Sequence, residues 1–184
     1  MIKERPEAAA VAAAVGFRTE GRSAQRAGGD PVGASSEAVA TAAARLAALL
    51  DEITPRLLAL SEAGSGTPPA GMTWARKEIL GHLIDSASNN HQRFVRAQYQ
   101  ERMSFPRYVQ DQWIAAQGYR ERPWSELVEL WRLYNRHLLH VMRRVPAAVL
   151  GNVCVVSDDE PSALGDHLVD YVVHMEHHLD QILA

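Results

Sequence analysis

The sequence predicts an all-α fold, a four-helix bundle that follows an N-terminal extension. Four long stretches of the 184-residue chain repeat apolar side chains at the spacing of an amphipathic helix. The chain shows no set of alternating apolar and polar segments from which a sheet could be built. Helices with one apolar stripe each, and no sheet to cover, bury those stripes against one another.

The first helix is predicted to follow a low-complexity segment. Residues 1–34 are rich in Ala, Gly and Arg and carry few large apolar side chains, so burial offers little to offset the entropy lost on ordering. We therefore expect a mobile extension over 1–34 and a single bundle domain over 35–184. Ser35 or Ser36 is the expected N-cap, and Pro55 should kink or divide the helix. Its apolar stripe comprises Val39, Leu46, Leu49, Leu50, Ile53, Leu57, Leu58 and Leu60.

The second and third helices are separated by an irregular segment. The second is predicted to begin behind an N-cap at Thr73 and to run to about Arg102. Residues 103–122 have no clean period, and we interpret them as a packed loop with room for one short helix. Pro123 suits the first turn of the third helix, and Pro146 ends it.

The fourth helix is predicted to reach nearly to the end of the chain, with Ser162 as its N-cap. Before it, the β-branched residues of 152–156 indicate a short strand or an extended loop. The four predicted helices therefore account for most of the chain from Ser35 onward.

Composition excludes several classes of function. Lys and Arg number 19 against 22 Asp and Glu, a formal net charge of −3 with no basic stripe, so nucleic acid is not an expected partner. No apolar run approaches the roughly 20 residues needed to cross a bilayer. The single cysteine, Cys154, excludes an internal disulfide, so we expect a cytoplasmic protein with no membrane partner. The sequence leaves room for a homodimer through apolar residues of the first or third helix.

The segment VVHMEHHLDQIL at 172–183 places three histidines within five positions. At about 100° per residue, His174 and His178 lie with His167 on one flank of the apolar face, whereas His177 falls on the far side and should meet solvent. Imidazoles one turn apart can bind one divalent ion. The pattern differs from the HExxH motif of zinc proteases. A half-buried helix edge with hydrogen-bonded histidines would have the same pattern, so the motif alone leaves both interpretations open.

A polar line runs along the second predicted helix beside its apolar face. A solvated face usually carries Lys and Glu, whereas this line indicates the wall of a polar pocket; an ordinary exposed face is the alternative. Its histidine, added to the pair on the fourth helix, would give three neutral imidazole ligands with an open fourth position, as in catalytic metal sites. The line comprises His82, Asp85, Ser86, Asn89 and Arg93.

Four residues are candidates for roles beside the metal. Asp85, one turn after His82, could orient a ligand or assist a metal-bound water or thiolate, or be an ordinary surface carboxylate. Asn89 and Arg93 are candidate substrate-binding residues, because a guanidinium can hold a carboxylate by two hydrogen bonds, although Arg93 could equally be a structural ion-pair partner. Trp113 could roof the pocket or simply fill core.

Two segments resemble a known family. WARKEILGHLIDSASNNHQRFVR at 74–96 and SALGDHLVDYVVHMEHHLDQI at 162–182 resemble the DinB-like superfamily, close to its YfiT-type metal-dependent hydrolases, over about residues 38–184. The resemblance implies a four-helix bundle with an internal divalent metal, usually zinc or nickel, held by His82, His174 and His178. The chain departs from the family pattern at Ala87, where a histidine often follows the Asp-Ser pair.

The resemblance also implies a function. Some members of the superfamily are S-transferases that join a low-molecular-weight thiol to an electrophile. We therefore expect a divalent-metal enzyme that activates a thiol or water for a small-molecule substrate, either a thiol S-transferase or a hydrolase. One alternative is a non-catalytic metal-binding stress or interaction protein, in which the ion joins two helices. The other is a bundle whose histidines are merely packed.

Overall fold

Four long helices pack around one hydrophobic core in the computed structural model, which describes residues 33–184. Each has an apolar stripe at helical spacing, and the stripes meet in the core. The fold predicted from the sequence is therefore confirmed. The helices are α1 (Ser36–Leu58), α3 (Arg76–Arg96), α5 (Trp124–Met142) and α6 (Leu164–Leu183).

The helices are not arranged in sequence order around the bundle. The main contacts join α1 to α5, α5 to α3, α3 to α6, and α6 back to α1. Helices α1 and α3, which follow one another along the chain, therefore lie on a diagonal. This arrangement makes α3 and α6 neighbours, and these are the two helices that carry the predicted metal ligands.

Short elements fill the connections between the long helices. Helix α2 (Glu62–Ser65) follows α1, and helix α4 (Gln110–Gln117) with a 3₁₀ turn (Tyr119–Glu121) occupies the segment predicted to be a packed loop. A second 3₁₀ turn (Ala147–Val149) follows α5. The loop prediction had allowed for one short helix, and α4 confirms it.

A small sheet is present that the sequence did not predict. Its strands β1 (Arg102–Phe105), β2 (Val153–Val156) and β3 (Ser162–Ala163) lie in the order β1-β2-β3, with β1 parallel to β2 and β2 antiparallel to β3. Only β2 was predicted, from its β-branched residues. The other two are too short to show an alternating pattern, and β1 exists because it pairs with a segment some 50 residues away, with Arg102 opposite Val153.

Two predicted N-caps are wrong and one is confirmed. Ser35 caps α1, since its hydroxyl accepts a hydrogen bond from the Ala38 amide at 3.2 Å. Helix α3 begins at Arg76, not behind Thr73, because the Glu78 carboxylate reaches back to the Ala75 amide at 2.7 Å. Ser162 is not the cap of α6, because it lies in β3 and its hydroxyl pairs with a side chain of α6.

The helix ends also differ from expectation. Helix α3 ends at Arg96 rather than near Arg102, because the chain turns there into β1. Pro55 does not divide α1, which continues to Leu58. The proline lies in the last turn, where its missing amide removes only one helical hydrogen bond. The third long helix begins within one residue of Pro123, as predicted, but ends at Met142, before Pro146.

The mobile extension predicted for 1–34 lies outside the described residues, except for Gly33 and Ala34. The Ala34 amide donates to the Asp166 carboxylate at 2.8 Å, which ties the chain before α1 to the first turn of α6. Within 33–184, no helix combines the length and the apolar character that a membrane crossing requires.

Candidate metal centre

Three histidines from two helices converge at the contact between α3 and α6. His82 projects from α3, and His174 and His178 project from consecutive turns of α6. One ring nitrogen of each lies within 4.8 Å of the others, and Nε2 of His82 is 3.1 Å from Nε2 of His174. The sequence predicted this grouping of side chains.

The facing of α6 explains why these histidines meet. Its buried stripe faces the bundle and places the histidine pair at the edge of the core, next to α3, so both are half-buried. His177 is exposed, as the helical spacing predicts. His167 lies on the same flank but does not join the cluster, because its Nε2 pairs with the Ser162 hydroxyl at 2.8 Å. The buried stripe comprises Leu168, Tyr171, Val172, Met175, Leu179 and Ile182.

Burial keeps the three imidazoles neutral. His82 is 1% exposed, and burial, reinforced by the nearby charges of His174 and His178, lowers its pKa to about 3. Burial lowers the pKa of His174 to about 4, and it also lowers the pKa of His178. Neutral imidazole is the form that binds metal ions, so near neutral pH the cluster presents three ligands that need not lose a proton first.

The geometry of the cluster fits a divalent ion. Two nitrogens bound to one zinc ion at ~2.0–2.1 Å with a tetrahedral angle are about 3.3 Å apart, close to the 3.1 Å between His82 and His174. A hydrogen bond between two imidazoles has a similar length, so this distance alone does not separate a metal site from a packed pair.

Gln181 orients the ring of His178. Its Oε1 accepts a hydrogen bond from Nδ1 of His178 at 2.7 Å, which fixes the proton on Nδ1 and leaves the lone pair of Nε2 for an ion. Its Nε2 donates in turn to Nε2 of His177 at 2.8 Å. Such polar support of the second ring nitrogen is a regular feature of histidine ligands. The sequence analysis did not identify Gln181, although its position three residues after His178 places it on the same side of α6.

Asp85 lies one turn after His82 and is held by two side chains. Its Oδ1 accepts hydrogen bonds from the Tyr119 hydroxyl, at 2.6 Å, and from the Gln117 amide. Its Oδ2 is buried without a hydrogen-bond partner among the described residues, and the residue is 2% exposed. Burial raises the pKa of Asp85, and the two hydrogen bonds oppose that shift. The alternative of an ordinary surface carboxylate is therefore wrong, and the alternative of a group that orients a ligand or assists a metal-bound water stays open.

Gly81 makes the Tyr119 contact sterically feasible. A Cβ atom added at Gly81 would overlap the ring of Tyr119. The ring therefore lies directly against the backbone of α3, where its hydroxyl reaches Asp85. Tyr119 and Gln117 come from a segment without periodicity, so the sequence carried no signal for their role.

Aromatic side chains cover the cluster. The rings of Trp74 and Tyr108 lie 5.5 Å and 6.5 Å from the ring of His82. Trp113, predicted to roof the pocket, packs against Tyr108 at 4.7 Å and so forms an outer layer. The indole of Trp74 donates to the carboxylate of Asp111 at 3.2 Å, which ties the start of α3 to α4. These rings give the cluster an apolar cover.

The remaining two predicted site residues lie further along α3. Asn89 is half-buried, and its side-chain amide donates to the carbonyl of Asp85 at 2.9 Å, so it is bonded to its own helix. Arg93 is half-buried too, and its Nη1 donates to Oδ1 of Asn90 at 3.2 Å. Neither makes a hydrogen bond to the three histidines. They extend the polar line away from the cluster, as the helical spacing predicts.

Comparisons with known proteins agree with this fold. A structure search finds YfiT from Bacillus subtilis, described as a probable metal-dependent hydrolase with an unusual four-helix bundle topology. The match has a TM-score of 0.74 and 19% sequence identity, and it covers 81% of this chain and 86% of that chain. A search of curated protein sequences gives no significant match. The family model described as DinB superfamily matches residues 38–182, most of the described chain, and the protein therefore belongs to the DinB superfamily.

Proposed function

We propose that this protein is a divalent-metal-dependent enzyme in which His82, His174 and His178 hold the ion. The observation that carries the proposal is the convergence of three neutral imidazoles from two helices. Three protein ligands would leave the fourth position of a tetrahedral ion to a water or thiol. Imidazole ligands suit several transition-metal ions, and the resemblance to the DinB-like superfamily implies zinc or nickel. When bound, the ion would supply a Lewis acid that lowers the pKa of the water or thiol nucleophile.

Asp85 is the proposed proton acceptor. Tyr119 and Gln117 fix its carboxylate through Oδ1 alone, so Oδ2 is available to take a proton from the nucleophile. Burial raises its pKa above that of an ordinary aspartate, against the effect of the two hydrogen bonds, and a raised pKa favours proton transfer to it. A carboxylate that served only packing would be expected to use both oxygens.

The aromatic cover supports a small-molecule substrate. Trp74 and Tyr108 face His82 and shield it from bulk water, and we propose that Trp113 and Asn89 contact the substrate beyond them. The description of YfiT as a probable metal-dependent hydrolase supports hydrolysis. The resemblance to the DinB-like superfamily, some members of which are S-transferases, supports the joining of a low-molecular-weight thiol to an electrophile. In both reactions the ion would activate the nucleophile, which is water in hydrolysis and a thiol in S-transfer.

The experiment compares metal-free protein with protein reloaded with zinc or nickel, prepared without an affinity tag. Two assays follow hydrolysis of p-nitrophenyl acetate and conjugation of N-acetylcysteine to monochlorobimane. We expect metal-dependent turnover that is lost in His178→Ala and retained in His140→Ala, a control with an exposed histidine on α5. Asp85→Asn should keep its metal and lose about 100-fold or more in rate.

A non-catalytic protein, in which the ion only joins α3 to α6, gives a different result. Metal would raise its melting temperature without turnover in either assay, and Asp85→Asn would have no effect beyond stability. Undiminished turnover in His178→Ala, or in the metal-free protein, would refute the proposed role of the histidines.

A further inference from the structure

Arg93 is a half-buried cation whose charge is not neutralised by a contacting carboxylate. It lies eleven positions after His82 on α3, which is about 16 Å along the helix axis. A guanidinium carries five N–H donors. Within residues 33–184, the guanidinium of Arg93 donates one hydrogen bond, to Asn90, and forms no ion pair. Arg93 has therefore lost part of its hydration while most of its donors are still available.

The groups near Arg93 are neutral donors, a second cation and one carboxylate that is paired with that cation. His167 of α6 and Ser162 of β3 are hydrogen bonded at 2.8 Å. Burial and then the charge of Arg93 lower the pKa of His167 to about 4, so His167 is neutral and lies within electrostatic range of Arg93. Arg107 and Asp159 also lie within that range, but they form an ion pair with each other. The two guanidinium groups and one carboxylate leave one positive charge in excess.

Tyr108 connects this cationic end to the histidine cluster. Its ring faces His82 at 6.5 Å. Burial raises the pKa of Tyr108, the charge of Asp85 raises it further, and the charge of Arg93 opposes the shift. Tyr108 therefore lies beside His82 and within electrostatic range of both Asp85 and Arg93.

We propose that Arg93, His167 and Ser162 form an anion-binding subsite for the substrate of the three-histidine centre. The substrate would then carry a carboxylate or a phosphate group at one end, bound by the guanidinium, and its reacting group at the other end, at the histidines. Arginine suits this task because its planar fork matches both oxyanions. The role of the subsite in a reaction rests on the proposed function, whereas its affinity for an oxyanion does not.

The test uses cobalt-substituted protein, in which binding of a thiol to the ion changes the visible spectrum. The probes are ω-mercaptocarboxylates of increasing chain length, each compared with the ω-mercaptoalcohol of equal length. At the length that spans the distance from the metal centre to Arg93, we expect the carboxylate to bind about 10- to 100-fold more tightly than the alcohol, the range for hydrogen bonds to charged groups. Arg93→Gln should abolish this preference, and Arg93→Lys should retain part of it. Arg96→Gln, which removes an exposed charge from the same helix, is the matched control.

The outcomes separate this inference from the proposed function. If both probes bind equally at every length and Arg93→Gln changes nothing, the anion subsite is refuted while the metal centre stands. If cobalt binds but no thiol alters its spectrum, thiol activation fails, and the subsite is decided by the Nε–Hε NMR signal of Arg93. That signal should shift saturably on titration of metal-free protein with sodium phosphate or acetate, whichever oxyanion the subsite accepts. No shift with either anion would overturn the inference.

Discussion

Acid should destabilise the metal-free protein because three of its histidines are buried or half-buried in the neutral form. The pKa is lowered to about 3 for His82 and to about 4 for His167 and His174, whereas histidine in an unfolded chain titrates near 6.5. Between about pH 6.5 and about 4 the unfolded chain binds more protons than the folded one, so the free energy of unfolding falls as the pH falls. The stabilisation is fully present above about pH 6.5.

The size of the effect follows from these values. At pH 5 an unfolded histidine is almost fully protonated and a buried one is not, which costs about 2 kcal/mol for each residue relative to pH 8. The result depends little on the folded pKa, provided that it lies below 5. Three such histidines amount to about 6 kcal/mol, comparable with the total stability of many domains.

The assay is urea unfolding at pH 8, 7, 6 and 5 in the presence of a chelator. Carboxylates also titrate in this range, so the informative quantity is the difference between wild type and His167→Gln. That variant should lose about 2 kcal/mol less than wild type between pH 8 and pH 5. His140→Gln, which changes an exposed histidine, should behave as wild type. An identical pH dependence in wild type and His167→Gln would refute the assignment of a buried, neutral His167.

Three further predictions concern the metal centre and its support. Free zinc at 100 times its dissociation constant should raise the free energy of unfolding by about 2.7 kcal/mol, as measured by thermal melts. His174→Ala should remove this stabilisation. Equal stabilisation of the variant by zinc would contradict the prediction. Gln181→Ala should weaken metal binding by about 10- to 100-fold without unfolding the protein, as measured by competition with a chromogenic chelator. An unchanged affinity would show that Gln181 has no orienting role. Gly81→Ala should lower the free energy of unfolding by about 1–3 kcal/mol, because the added Cβ displaces the ring of Tyr119 and breaks its hydrogen bond to Asp85. A urea unfolding curve of the variant identical to that of wild type would contradict this packing.

The histidine cluster could be predicted because helix facing is a local property. The 3.6-residue period places His174 and His178 at the edge of the buried stripe and His177 outside it, and this holds whatever α6 packs against. The same count put His82 on the polar line of α3. The sequence pattern did not show that α3 and α6 are neighbours. That pairing came from the family resemblance, and the contacts of the bundle confirm it.

Features that depend on long-range contacts could not be predicted. Ser162 has the chemistry of an N-cap, but pairing of its strand with β2 turns its hydroxyl toward His167 instead. Helix α3 begins at Arg76 rather than behind Thr73 because the Glu78 side chain reaches the Ala75 amide. Both helix starts are compatible with the local sequence, which therefore could not decide between them. The sequence could not decide between an orienting role and an ordinary surface carboxylate for Asp85, because its partners come from a segment without periodicity.

The central claim is that His82, His174 and His178 bind one divalent ion. Metal content per chain, measured by plasma mass spectrometry on protein purified without an affinity tag, tests it most directly. We predict close to one ion of zinc or nickel per chain in wild type, and loss of that ion in His178→Ala. Absence of bound metal in wild type, even after reconstitution with zinc or nickel, would contradict the claim and leave the three histidines as a packing motif between α3 and α6.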